Sequence, residues 1–291
     1  MKEAGTEVFC KRFLKRKMNN QPRILIIYTS TYSNPYLRIN EFGIKKTWAN
    51  FSNLYPQVVI KSIIGTENKN TLLFRFYAFL FELFRNRRFE TYFNFIIGKL
   101  LILVPFKIPI CLEYENELRV NARESFFTLG IKFFRAIEYC CLKNFDILII
   151  TNSSSYINVP YLLKKVIDLP LDAPIYGGRS ISNSSKYGAS GAFVMLNNSA
   201  CNLIMSKKSN WNFSKIDDVA LLSMCKSLGI PFTKYESIDL KSIIEIQNLK
   251  KKDLQNIHFK IGPAFNSSTH ERNDETNLLA LHEQVVKFKL L

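Results

Sequence analysis

The chain has 291 residues, 47% of them hydrophobic, with only 11 Gly and 10 Pro, which excludes a disordered or fibrous protein and leaves one large α/β domain or two small ones. A formal net charge of +16 calls for an anionic partner, whether nucleic acid, anionic lipid or an anionic small molecule. Lys and Arg are spread along the chain without a nucleic-acid recognition motif, so nucleic acid is not expected. Cys10, Cys111, Cys140, Cys141, Cys201 and Cys225 lack metal-ligand spacing and read as reduced thiols.

Residues 1–22 mix Lys, Arg and Asn without an apolar core, so they read as a basic tail and not a leader. The expectation is a cytoplasmic protein. Arg23–Tyr28 is an apolar run of buried-strand type, ending in a loop at Thr29–Pro35. Leu37–Phe51 has a helical pattern that includes Gly43-Ile-Lys-Lys-Thr-Trp48, and Val58–Gly65 is a second strand. Strand, helix and strand make a βαβ unit, so a parallel sheet is expected.

Residues 69–111 depart from this pattern. Leu72–Phe84 is aromatic on nearly every face, Arg85, Arg87 and Arg88 follow, and the apolar Phe93–Ile110 is broken by Lys99, Pro105 and Lys107. Neither run reaches the roughly 20 clean apolar residues that spanning a bilayer needs. Two readings stand: core helices inserted beside the sheet, or an interfacial element whose aromatics and Arg cluster meet an anionic membrane on its inner face. Glu115–Val120 follows, then a predicted amphipathic helix over Arg123–Lys143 with Phe126, Leu129, Phe133, Ile137 and Cys140 at helical spacing.

Phe145–Ile150 is a further buried-strand run, stopping at the small polar Thr151-Asn152-Ser153-Ser154-Ser155. Tyr156-Ile-Asn-Val-Pro160 leads into Tyr161–Lys165, a helix with proline in its first turn. Tyr176-Gly-Gly-Arg179 and Tyr187-Gly-Ala-Ser-Gly191-Ala-Phe-Val-Met-Leu196 come next, with a helix from Asn198. Ile216-Asp217-Asp218-Val219 pairs two carboxylates at a predicted helix start, where they would suit the dipole, and Leu228-Gly-Ile-Pro231 ends that segment. Toward the C-terminus stand Lys250-Lys-Lys252, His258-Phe-Lys260 and Arg272.

These segments, in this order over residues 23–262 with 69–111 unmatched, resemble the β-1,3-galactosyltransferase and fringe-like glycosyltransferases. There an apolar strand ends in metal-binding aspartates, followed by Thr-Tyr-Val-Asn-Val-Pro. Here Asn152, Ser153 and Ser154 stand in the aspartates' places. The resemblance implies a GT-A fold: a Rossmann-like mixed sheet flanked by helices, one domain over 23–262 with a helical aromatic-rich insertion, and a C-terminal helical tail at 263–291. It implies a hexosyltransferase-type enzyme moving a sugar from a nucleotide-diphosphate donor to a glycan or lipid-linked acceptor, with inversion. The catalytic base would be Asp218, or else Asp217. Thr29, Arg38, Lys132, Asn152, Ser153, Ser154, Lys260 and Arg272 would bind the sugar donor, and Gly178, Ser190 and Gly191 the acceptor side. The relatives use Mn²⁺ or Mg²⁺ against the diphosphate, completed by a late His. Here either His258 rebuilds that site, or Lys260 and Arg272 clamp the diphosphate without a metal. The alternative is a catalytically inactive relative that binds a glycan or a partner.

Overall fold

The computed structural model describes residues 21–65, 111–120, 129–181, 188–213, 215–263, 272 and 274–288. The expectations for residues 1–20, for 69–110, for the start of the 123–143 helix and for Tyr187 lie outside the described residues. The strands are β1 (Ile24–Thr29), β2 (Val58–Gly65), β3 (Cys111–Glu113), β4 (Glu117–Val120), β5 (Ile147–Asn152), β6 (Ser155–Ile157), β7 (Tyr176–Ser180), β8 (Ala189–Asn197), β9 (Phe232–Lys234), β10 (Ser237–Leu240) and β11 (His258–Ile261). The helices are α1 (Leu129–Leu142), α2 (Val159–Val166), α3 (Asn198–Ser206), α4 (Asp217–Ser227), α5 (Ile243–Gln247) and α6 (Asp274–Lys287), beside shorter turns between β1 and β2.

An eight-stranded mixed sheet runs in the order β3-β4-β2-β1-β5-β8-β7-β9, and a three-stranded one in the order β10-β11-β6. The expected α/β class is met: a mixed sheet flanked by helices, consistent with a GT-A-like arrangement. β2, β1 and β5 are parallel, and β8 runs antiparallel to β5. The uninterrupted apolar runs of β1 and β5 follow from burial on both sides. Successive side chains point to opposite faces, so Leu25, Ile27, Leu148 and Ile150 enter a core with α1, α3 and α4. Ile24, Ile26, Ile147 and Ile149 enter the other, with Trp48, α2 and α6.

Local chemistry sets the helix ends. Asn158 caps α2, its Oδ1 accepting from the Tyr161 amide at 3.3 Å, and Pro160 sits in the first turn. The predicted helix over 37–51 is broken instead. A short helix, Tyr36–Arg38, runs into a π-helical stretch, Ile39–Ile44, and a 3₁₀ helix covers Trp48–Asn53. Thr47 donates its hydroxyl back to the Gly43 carbonyl at 2.7 Å, which competes with straight helix continuation. The break turns the Trp48 indole N–H onto the Ser155 carbonyl at 3.0 Å, tying this segment to the start of β6. β5 itself runs two residues further than the apolar run, so Thr151 and Asn152 belong to the strand. The helix expected within 263–291 is α6, whose Leu278, Leu281 and Val285 are fully buried in the second core.

Gly178 has φ +153 in a β7 irregularity, and a Cβ there would overlap the Phe193 carbonyl oxygen. Gly178→Ala is expected to lower stability by about 3 kcal/mol, read as a lower denaturant midpoint at unchanged slope. The five described cysteines, Cys111, Cys140, Cys141, Cys201 and Cys225, are free thiols. Among the described residues no helix is long and apolar enough to cross a membrane.

Candidate active site

The chain leaves β1 over the face of the sheet that holds Trp48 and enters β5 from α1 on the other face. Such a reversal opens a crevice at the carboxyl ends of β1 and β5, the usual ligand position in an open α/β sheet. Thr29 and Asn152 pair across it in register. The next residue, Ser30, is buried, and its Oγ has no hydrogen-bond partner among the described residues. Lys132 reaches in from α1, 1% exposed, its Nζ 3.2 Å from the Ser30 carbonyl.

The small sheet brings basic groups to the same edge. β11 runs antiparallel to β6 with Lys260 opposite Ser155, which carries the Lys260 Nζ to 3.1 Å from Asn152 Oδ1. Arg272 donates to Ser154 Oγ, holds both oxygens of the fully buried Asp274, and lies over the Tyr36 ring. Arg38 takes a supporting place: it donates to the Arg272 carbonyl and pairs with Glu275 at 2.7 Å. Burial, then the neighbouring Arg272, pull the Lys260 ammonium down to about 8. Ser153 is a buried turn residue between β5 and β6.

The acidic pair arrives from the opposite face. Asp217 and Asp218 open α4, in the first turn where the dipole favours negative charge. Asp217 lies against the Cα of Gly191, where a Cβ would overlap its Oδ2. Gly191 sits on β8 just past the Thr151–Phe193 pair, so Asp217 stands at the same sheet edge as Asn152. Burial, then Asp218, raise the Asp217 carboxyl to about 6. Asp218 lies close enough to the buried Tyr176 phenol to help hold it protonated.

The small residues expected on the acceptor side have separate uses. The close approach at Gly191 is made by Asp217, and at Gly178 by the Phe193 carbonyl. Ser190 Oγ accepts from the Ala192 amide at 3.4 Å. Residues that sequence reasoning missed are Ser155, Ser237, Tyr36 and Asp274. Only Asp274 carried a local signal, an acid two positions after Arg272 at a helix start.

A divalent cation does not fit the residues at the end of β5. Hard cations need oxygen lone pairs, and Asn152 Oδ1 already accepts from the Ser154 amide at 3.1 Å, the Ser155 hydroxyl at 3.0 Å and Lys260 Nζ at 3.1 Å. His258 is fully buried with Nδ1 2.7 Å from Ser237 Oγ and Nε2 3.0 Å from Ser155 Oγ, so both ring nitrogens are engaged. Burial, with Lys260 and Arg179 nearby, holds its pKa well below the ordinary value, which keeps the ring neutral. Among the described residues no three His, Cys, Asp or Glu side chains come together as a metal set.

No protein-family model matches the chain, and no curated protein matches it in sequence. Among solved structures it is similar to a glycosyltransferase involved in the glycosylation of the major capsid of PBCV-1, with TM-score 0.38 and 9% identity over 82% of this chain and 93% of that one. The glycosyltransferase GlyE of Streptococcus pneumoniae TIGR4 gives 0.38 and 8%, over 93% of this chain and 64% of that one. Mouse xyloside xylosyltransferase 1 in its apo form gives 0.37 and 10%, over 86% and 98%. These three TM-scores lie below 0.5, and function is read from the residues of the site.

Proposed function

We propose that the chain is a glycosyltransferase that moves a sugar from a nucleotide-diphosphate donor to an acceptor hydroxyl, inverting the anomeric centre. The observation that carries this reading is one sheet edge that gathers Lys260 and Arg272 from one face and Asp217 from the other. A departing diphosphate needs positive charge, and an inverting displacement needs a carboxylate base. In a single step the acceptor oxygen bonds the anomeric carbon while Asp217 takes its proton. The bond from that carbon to the diphosphate oxygen breaks, and the electron pair leaves on the diphosphate beside Lys260 and Arg272.

Asp217 is the better base of the pair. Its pKa of about 6 leaves it ionised at neutral pH yet basic enough to accept a proton, and its carboxylate lies along Gly191. Gly191→Ala would displace that carboxylate, and a misplaced base of this kind is expected to slow turnover about a hundredfold. A thermal melt near that of the wild type would separate this from unfolding.

The direct test titrates the intact chain with uridine- and guanosine-diphosphate sugars, reading heat. Saturable binding of one of them supports the reading. No binding across the panel points to an inactive relative.

A further inference from the structure

We infer that the end of β5 grips its phosphate-type anion through N–H donors in place of a divalent cation, with His258 as a positioning residue that acts through Ser155 on Asn152. This rests on the sugar-nucleotide reading above for the identity of the anion, the diphosphate. Of the two expectations for this end of the chain, it takes the metal-free clamp over a metal site completed by His258.

The orientation of the Asn152 amide decides the matter. A backbone N–H and an ammonium can only donate, so the group they meet at 3.1 Å each must be the amide oxygen. The Nδ2 end makes no hydrogen bond among the described residues. Asn152 therefore offers two N–H donors at the position where a metal site would need acceptors. Lys260 and the Arg272 guanidinium stand beside it, and a cation there would face an ammonium already 3.1 Å from Oδ1. The same set suits an anion, which accepts from all three.

The network behind Asn152 holds it this way round. Ser155 has one proton to place, and the two oxygens within its reach, Asn152 Oδ1 at 3.0 Å and the Ala192 carbonyl at 3.1 Å, can only accept, so the proton lies on their side of Oγ. The His258 ring, neutral and stacked on Phe193 at 5.0 Å between centroids, then donates from Nε2 to Ser155 Oγ, and Ser237 donates to Nδ1. Through the chain Ser237–His258–Ser155 a hydroxyl proton is presented to the Asn152 amide oxygen, with the Ala192 carbonyl as its other acceptor. His258 touches no ligand in this arrangement.

The test measures binding of inorganic pyrophosphate, uridine diphosphate and guanosine diphosphate to the intact chain, in chelator and with Mn²⁺. At least one of these probes is expected to bind in chelator, with no gain from Mn²⁺. Asn152→Asp, which puts an anionic acceptor where the N–H donors were, is expected to weaken it about a hundredfold in chelator. His258→Leu should cost about tenfold, and His258→Gln, whose amide can still donate to Ser155, should restore most of it. If His258→Leu fails to fold, the Gln and Asn152→Asp variants still decide. Binding only with Mn²⁺, or tighter binding by Asn152→Asp, would overturn the inference while leaving the sugar-nucleotide reading intact. No binding of any probe in either condition would overturn both.

Discussion

Asp217→Asn is expected to bind the nucleotide sugar as the wild type does and to lose transfer by about 10²- to 10⁴-fold, the usual worth of a positioned general base. The substitution keeps the shape that lies against Gly191 and removes only the basicity. The pH profile supplies the independent mark. Asp217 has a folded pKa raised to about 6 from an ordinary 3.8, so wild-type turnover should rise as pH increases through 6. The sign for stability is the reverse. A carboxyl raised on folding favours the fold while protonated, and that contribution fades as pH rises from 3.8 through about 6. At neutral pH the wild type therefore carries a buried charge that Asn does not. The variant should be more stable by on the order of 2 kcal/mol while nearly inactive, a separation that unfolding cannot imitate.

Lys260→Met is expected to weaken binding of the sugar donor by about 10- to 100-fold near pH 7, the worth of one charge-assisted hydrogen bond. Here the folded pKa is depressed, to about 8 from 10.5, because burial and Arg272 disfavour the ammonium. The charged form costs the fold its full penalty below 8, and the penalty is relieved as pH climbs toward 10.5. The Met variant should thus be no less stable than the wild type at neutral pH. Wild-type affinity should fall as pH passes 8 upward, and the difference between the two proteins should shrink there. With Asp217 on the acid side, the two groups give a bell-shaped rate profile between about 6 and 8.

The central strands were legible in sequence because burial on both faces leaves an unbroken apolar run, as in Ile24–Ile27 and Ile147–Ile150. The break in the 37–51 helix was not, since it serves a contact from Trp48 to Ser155 more than a hundred residues away. Asn152, Lys260, Arg272 and Asp217 were each picked out by residue type and context. Their convergence was not visible, because the β6–β11 register decides which face Lys260 presents. Ser155 and Ser237 carry no signal among the chain's other serines until pairing sets them on either side of His258. For the same reason sequence left His258 open between completing a metal site and standing aside from a Lys260–Arg272 clamp, and only the fold places hydroxyls at both its nitrogens. Sequence ranked Asp218 before Asp217 as the base; the proposal for Asp217 rests on the glycine contact, which neighbouring positions in a sequence cannot distinguish.

The most direct measurement is release of nucleoside diphosphate from uridine- and guanosine-diphosphate sugars, by the intact chain and by Asp217→Asn, in chelator. Slow transfer to water makes it independent of the acceptor. The expected result is release from one sugar donor by the wild type, rising through pH 6, and none above background from the variant. Equal release by both proteins, or no release from any sugar donor by the wild type, would contradict Asp217-dependent sugar transfer at this edge.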